Sequence, residues 1–263
     1  PSSVSGAAPS YGSVFTPTLL GSGGYYYSTA GGRVRLEVGG AAAIAGEIDV
    51  DGEYGAYSHC TGGSILLACG ALTGSGWVHA HGAYVSVGCG GRVAVKQSRA
   101  TDFAAFTGRI SACGGTQLAT IGGIPAAPAG TVYLQSAGAA ANAGTVYVRN
   151  SNSTLHTGAS GTGGVDLPVT NLCADAAADY RRAAFDVSEG GVLYLTQDIT
   201  IGDLALGAAS RVNLNGHVLT LRSAEHRKGV GWAPTAMIVP GADADGNPGR
   251  IVWDKHGLVI ILY

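Results

Sequence analysis

Short segments in which apolar and polar residues alternate recur along the chain, and a glycine precedes each of them. Each segment begins with the glycine and one variable residue and then alternates over about five residues, which is the period of a β-strand. Eight copies occur: Gly32–Leu36, Gly46–Val50, Gly63–Leu67, Gly76–Ala80, Gly91–Val95, Gly108–Ala112, Gly130–Leu134 and Gly144–Val148. The pattern predicts short strands with one buried face.

Strands this short cannot bury a face alone, so the repeat predicts a parallel β-solenoid in which successive turns stack and share one core. The glycine before each strand allows a positive φ or a tight corner between sheets. The linkers rich in glycine and alanine are predicted to project as loops, because they carry little bulky apolar surface. These predicted loops are Gly39–Ala45, Gly114–Ala129, Gly138–Ala143 and Ser151–Gly164.

The pattern divides the chain into three parts. Residues 1–170 form the glycine-rich solenoid section, and residues 171–190 contain helix formers that predict a short helix or an irregular insert. Residues 191–263 resume the strand pattern at tighter spacing and predict a second solenoid section. Its apolar end is either a final strand pair that caps the core or an edge that docks on another chain, with Trp253, Ile260 and Leu262 as assembly residues.

Several of these stretches resemble the bacterial glycine-rich surface proteins built from autotransporter-like and adhesin-like parallel β-helix repeats. The stretches that carry the resemblance are Gly62–Leu67, Leu72–Val78, Gly90–Val95, Gly108–Gly115, Ala129–Leu134 and Val212–Leu221. The resemblance implies a right-handed parallel β-helix that is exported and displayed outside the cell. It names no reacting group, so it implies a fold more than an activity.

Composition narrows the class of protein. The 263 residues include 44 glycines, only 12% are charged, and the formal net charge is −2, which disfavours nucleic acid as a partner. No apolar stretch reaches the roughly 18 residues that a transmembrane helix needs. The five cysteines lack metal-ligand spacing, and they are either small buried residues or members of one or two disulfides.

Two groups of polar residues are candidates for chemistry in the first section. Asp49 and Asp51 share one strand face, and paired carboxylates within about 5–10 Å are the machinery of polysaccharide-cleaving β-helix enzymes. A solvated face at the end of the strand is the favoured interpretation. His79 and His81 also share a face, which suits a metal ion or sugar hydroxyls, but no third ligand lies nearby in sequence, which favours a surface pair.

The remaining candidates lie in predicted loops. Asp243, Asp245 and Asn247 resemble a short calcium loop, with a polar hairpin turn as the alternative, and calcium is the only cofactor that the sequence suggests. Six tyrosines are candidates for contacts with glycans or partner proteins, or for capping the first turns of the solenoid. They are Tyr25, Tyr26, Tyr27, Tyr54, Tyr57 and Tyr84. Asn152 begins a glycosylation sequon.

The sequence therefore predicts a secreted structural or adhesive β-solenoid at a cell surface or in an extracellular filament. Self-association is expected, glycans are possible ligands, and catalysis is not expected. The alternatives are a carbohydrate-active β-helix enzyme, either a polysaccharide lyase or a hydrolase, and a carbohydrate-binding module.

Overall fold

The computed structural model describes ten stretches of the chain. They are residues 12–23, 29–53, 60–83, 88–115, 127–150, 170–171, 178–207, 210–222, 237–255 and 258–262. The regular elements within these stretches are eighteen β-strands, which confirms the all-β prediction. Within the same stretches, no helix is long and apolar enough to cross a membrane.

In the first half, the chain alternates between two parallel sheets. The first sheet contains β1 (Arg33–Ala43), β3 (Ser64–Thr73), β5 (Arg92–Gln97) and β7 (Thr131–Gln135), and the second contains β2 (Glu47–Asp49), β4 (Trp77–His79) and β6 (Arg109–Ser111). Equivalent repeat positions lie side by side, so that Ile65 pairs with Val34 on one side and with Val93 on the other. Together with β8 (Thr145–Arg149), these strands account for all eight glycine-led segments, which are therefore confirmed as strands.

The chain reverses direction between β7 and β8, which pair antiparallel. The connection contains two left-handed residues, Gly138 at φ 77° and Asn142 at φ 60°. From β8 the first sheet continues through β10 (Ala184–Ser188) and β13 (Asp203–Leu206), both in parallel pairing. The first sheet therefore has seven strands in the order β1-β3-β5-β7-β8-β10-β13 and spans both halves of the chain.

The second half adds two further sheets of four strands each. The third sheet contains β9 (Thr170–Asn171), β11 (Val192–Tyr194), β14 (Arg211–Asn213) and β16 (Ile238–Val239), and the fourth contains β12 (Ile199–Ile201), β15 (Val218–Leu221), β17 (Arg250–Lys255) and β18 (Leu258–Leu262). From β10 to β15 the chain visits the first, third and fourth sheets in turn. β18 pairs antiparallel with β17 and ends the parallel order of its sheet.

Two hydrophobic cores lie on opposite faces of the first sheet. Val132 belongs to the core that the first and second sheets enclose, whereas the next residue, Tyr133, belongs to the core of the second half. Adjacent residues of a strand point to opposite faces, so this division follows from the pleat. The first core contains Ile65, Leu67, Val78, Val93 and Val95, and the second contains Val146, Val148, Phe185, Leu193, Leu204 and Leu219.

None of the eight strand-leading glycines has a positive φ, and six of them, all except Gly32 and Gly46, allow a close approach of neighbouring backbone. A Cβ on Gly63 would lie 1.7 Å from the carbonyl oxygen of Gly32, and one on Gly130 would lie 1.8 Å from that of Gly91. Gly76 and Gly108 are equally tight in the second sheet, with backbone oxygens at 2.2 and 1.9 Å. Stacked backbones therefore exclude any side chain at these positions.

Three predicted boundaries need correction or qualification. Most of the predicted loop Gly39–Ala45 belongs to β1, which accommodates Gly39 and Gly40 as a bulge between Val38 and Ala41. The predicted insert at 171–190 includes β10, whose alternating apolar residues place it inside the first sheet. Residues 172–177, where most of the helix formers lie, are outside the described residues, as are 116–126 and 151–164 of the other predicted loops.

Candidate functional site

A group of interacting polar side chains lies on the outer face of the second sheet. Register aligns Asp49 with His79 and Ser111, whereas the intervening residues Ile48, Val78 and Ile110 face the first core. Asp51 and His81 lie two residues further along and stay side by side, because the N–H groups of Val50 and Gly52 donate to the carbonyl oxygens of His79 and His81. The repeat thus brings residues about 30 positions apart in sequence onto one face.

His79 is held between carboxylates. Its Nε2 lies 2.6 Å from Glu47 Oε1, and its Nδ1 lies 2.9 Å from Asp51 Oδ1 and 3.7 Å from Asp49 Oδ1. The His79 side chain is only 4% exposed, whereas the side chains of Glu47 and Asp49 are 52% and 55% exposed. Both ring nitrogens face acceptors, so the protonated imidazolium, which donates from both, satisfies the arrangement.

The ionisation equilibria of His79 and Asp51 are coupled. Burial lowers the pKa of His79, but hydrogen bonds and charge from Asp51, a hydrogen bond from Glu47 and the charge of Asp49 raise it to about 9. Burial raises the pKa of Asp51, but its hydrogen bonds with His79 and with the backbone N–H of His81 hold that pKa below its ordinary value. At neutral pH the structure therefore contains a histidinium paired with carboxylates.

His81 is fully buried, and its ring stacks on that of His79 with centroids 5.0 Å apart. Cys113 N–H donates to His81 Nδ1 at 3.0 Å, so this nitrogen carries the lone pair. The proton of a neutral ring must then be on Nε2, which lies 3.2 Å from Ser111 Oγ. His81 donates to Ser111 in this tautomer, which is the wrong direction for activating that hydroxyl as a nucleophile.

Asp51, His79 and His81 are also the one trio among the described residues whose potential metal-ligating atoms all lie within 4.8 Å of one another. A metal ion needs a lone pair from each imidazole. The lone pair of His81 faces the Cys113 N–H, and His79 is protonated. In this arrangement protein groups engage the ring nitrogens of both histidines, and the cluster links β2, β4 and the end of β6.

Sequence reasoning identified part of this cluster. The prediction that His79 and His81 share a face is confirmed, but the predicted surface location is wrong, because they are 3% and 0% exposed. The third partner is Asp51, which comes from the preceding repeat. Aligning Gly46 with Gly76 places residues 47, 49 and 51 beside 77, 79 and 81, and this signal would have found both Glu47 and Asp51.

Arg92 and Arg109 also belong to these repeats. Arg92 is in the first sheet, where its buried guanidinium donates to Thr131 Oγ1 at 3.1 Å. Arg109 lies on β6, one repeat after Trp77. His59 lies outside the described residues, as do all six candidate tyrosines and Asn152.

The predicted calcium loop adopts a hairpin turn, with Ala242 bridging to Pro248. Asp243 Oδ1 accepts hydrogen bonds from the backbone of Asp245 at 3.0 Å and of Asn247 at 2.7 Å, and Asn247 Nδ2 donates to Asp243 Oδ2 at 3.0 Å. These donors lower the pKa of Asp243, with the Asn247 side chain contributing most. The Asp243 carboxylate therefore stabilises the turn, and the Asn247 amide presents its nitrogen to it.

The three predicted assembly residues lie in two different places in the structure. Trp253 is 3% exposed and belongs to the second core, so its indole is a core side chain rather than a docking contact. Ile260 and Leu262 lie in β18, at the edge of the fourth sheet.

The cysteines of the described chain, Cys60, Cys69, Cys89 and Cys113, are all free thiols. Three of them are buried, as expected for small core residues, and burial raises the pKa of Cys113 to about 12. Cys173 lies outside the described residues.

No family model, curated protein or solved structure matches this chain.

Proposed function

We propose that the chain is a right-handed parallel β-helix that works outside the cell as a structural or adhesive scaffold and has no catalytic role. The stacking of the repeats carries this proposal. Val34, Ile65, Val93 and Val132 occupy one register position on four successive strands, and the strand-leading glycines form a second such column. Such stacking is the basis of solenoid rods, and the resemblance to exported surface repeats supports a location outside the cell.

The polar cluster is better suited to holding strands together than to chemistry. The nitrogens of both histidines are already engaged, with carboxylates, a serine hydroxyl or a backbone N–H. A general base needs an accessible lone pair, and a nucleophile needs such a base beside it. This supports a structural role for the cluster, as a link between adjacent turns.

The scaffold is proposed to associate with a second copy through β18. β18 is an edge strand, and its sequence from Leu258 to Leu262 is entirely apolar. An antiparallel edge of this kind can pair with the same edge of another copy about a two-fold axis. The surface would then be self-complementary.

Light scattering coupled to size exclusion, with negative-stain electron microscopy, tests this association. The native chain should form dimers or larger particles whose mass rises with concentration, and Ile260→Asp should shift them to monomers. Leu20→Asp is the matched control, because Leu20 is an apolar residue that is 63% exposed away from the fourth sheet. A native chain that stays monomeric, or an Ile260→Asp variant that assembles like the native chain, would overturn the association.

One observation favours a carbohydrate-active enzyme as the second candidate. Glu47 and Asp49 are exposed carboxylates from one strand that converge on His79 of the next, as acidic groups of adjacent turns do in a catalytic groove. Incubation with a panel of acidic polysaccharides tests this alternative. Cleavage that is lost in both Glu47→Gln and Asp49→Asn, with unchanged thermal unfolding, would replace the scaffold proposal with an enzymatic one.

A further inference from the structure

A cleft of about 400 Å³ opens beside β6, where the second sheet ends. In the repeat, each strand of the first sheet is followed by a strand of the second, but β7 is followed by the turn to β8. In the described chain, no strand therefore pairs with β6 on the side away from β4. The cleft lies where the next strand of the second sheet would otherwise be.

The backbone of β6 presents hydrogen-bonding groups to this cleft. Arg109 N–H donates to Gly76 at 3.0 Å, and the carbonyl of Ser111 accepts from Ala80 at 3.1 Å, so both residues direct their backbone groups toward β4 and its flanks. Alternate residues of a parallel strand point their N–H and C=O groups to opposite sides. Ile110 between them consequently directs its N–H and C=O toward the cleft.

The walls of the cleft match a strand with one apolar and one polar face. Ile110, Val132 and Leu134 line it from the side of the first core, and Phe106 adds an aromatic edge. Arg109 and Arg149 also line it, and the Arg149 guanidinium lies 4.3 Å above the ring of Tyr147. Arg109 places a positive charge on β6 itself, whereas Arg149 pairs with Asp186 at 2.9 Å and lies 4.0 Å from Glu189, which also lines the cleft.

A second copy of the whole scaffold cannot occupy this position. To stack its own first turn on β6, it would have to place β1 beside β7, where β8 already pairs. The first sheet continues beyond β8 through β10 and β13, so a neighbouring coil has no room at this level. Among the described strands, the position beside β6 leaves room for a single extended segment.

We infer that β6 binds an extended peptide by strand addition, in parallel with β4. The neighbouring strands define the peptide. The position beside Gly108 must be glycine, because Gly76 and Gly108 each leave no space for a Cβ against the preceding strand. The residue beside Ile110 is Val or Ile, continuing the column of Ile48 and Val78, and the residue between them faces Arg109 and is acidic.

The peptide Ala-Gly-Glu-Ile-Asp-Val, which repeats the sequence of residues 45–50, is a suitable probe. Fluorescence anisotropy with the full chain should show saturable binding, and peptides with Ile replaced by Pro or Gly replaced by Val should not bind. Arg109→Glu should weaken binding by about tenfold or more, since it places like charges opposite each other. The same variant should recover binding when the peptide carries Lys in place of Glu.

Two further measurements locate the site and check the fold. The Ile110 amide should gain protection from hydrogen exchange when the peptide is added. Arg99→Glu, a charge reversal at an exposed loop residue, should leave affinity unchanged, and equal thermal unfolding of both variants would show that neither disrupts the fold. The inference is overturned if binding does not saturate up to roughly 1 mM peptide or if protection at the Ile110 amide does not change. It is also overturned if Arg109→Glu does not recover binding to the peptide that carries Lys. None of these outcomes bears on assembly through β18, so the two proposals fail separately.

Discussion

At the scale of single residues, His79 is a buried cation whose two ring nitrogens both face carboxylates. Burying a charge is unfavourable unless it is paired and hydrogen-bonded. Glu47 and Asp51 meet this requirement from opposite sides of the ring, and the ring of His81 covers one face. The folded state therefore stabilises the protonated form of His79, and its stability must depend on pH.

The native chain is expected to lose stability between about pH 6.5 and 9. The folded pKa of His79, about 9, is raised above its ordinary value of 6.5. The contribution is therefore complete below 6.5 and disappears as the pH rises through 9. The size of this contribution is on the order of 2 kcal/mol. It is smaller than the full pKa shift implies, because the Glu47 side chain is half-exposed and solvent screens its charge. Urea unfolding at a series of pH values measures it.

His79→Gln should unfold at lower urea concentration at pH 6 and should lose the decline between pH 6.5 and 9. His217→Gln is the control, because His217 lies 3.5 Å from Asp198 on a more exposed surface. At the acid end the sign is opposite. The pKa of Asp51 is lowered, so its contribution is present above 3.8 and is lost as the pH falls below that value. A native profile as flat as that of His79→Gln would contradict the proposed pairing.

At the scale of elements, the glycine before each strand is a packing requirement that depends on position in the stack. Gly130 faces the carbonyl of Gly91 at a distance that excludes any Cβ, whereas a Cβ on Gly32 would meet nothing within 4 Å. Both glycines begin a strand of the same sheet and occupy the same place in the repeat. They therefore form a matched pair for mutation.

Gly130→Ala is expected to lower the free energy of unfolding by about 1–3 kcal/mol, because the clash is with backbone that cannot move aside. Gly32→Ala should change it by less than about 0.5 kcal/mol, since the new methyl group enters open space and alanine restricts the unfolded chain. Denaturant midpoints of the two variants measure the difference. Equal effects would show that the glycines act through conformational freedom instead of close approach.

Local pattern predicted the strands well and their connections less well. All eight glycine-led segments are strands, because alternation and a leading glycine are properties of each segment alone. The antiparallel step from β7 to β8 was not predicted, although Gly130 and Gly144 lie much closer in sequence than Gly91 and Gly130 do. The sequence places β10 in an insert because helix formers come before it, and its place in the sheet depends on partners distant in sequence.

The distinction between pattern within one segment and pairing between distant segments also explains which parts of the candidate site the sequence predicts. Period-two alternation was enough to place His79 and His81 on one face, since that is a property of a single strand. The partnership with Asp51 and Glu47 depends on register between strands about 30 residues apart, which composition and spacing within one segment do not contain. Burial of the two imidazoles is a further consequence of that register.

At the scale of the whole molecule, the reversal between β7 and β8 moves the hydrophobic core from one face of the first sheet to the other. Before the reversal, Ile65 and Val93 face the second sheet, and after it Val146 and Phe185 face the third and fourth. Near the boundary, Phe15 of the N-terminal segment packs on Tyr133 with ring centroids 4.8 Å apart. One sheet therefore belongs to both cores.

Because the two cores share a sheet, the described structure should unfold as one cooperative unit. Phe185→Leu, which leaves a cavity in the second core, should lower the free energy of unfolding on the order of 1–2 kcal/mol, and Val95→Ala should do the same from the first core. Amides that exchange only when the whole structure unfolds should then exchange faster by the same factor in β5 and in β15 for either variant. The contrary result is that each variant accelerates exchange only in the half of the chain that contains its mutated core. The shared sheet would then not couple the two cores, and the two halves would be separate folding units.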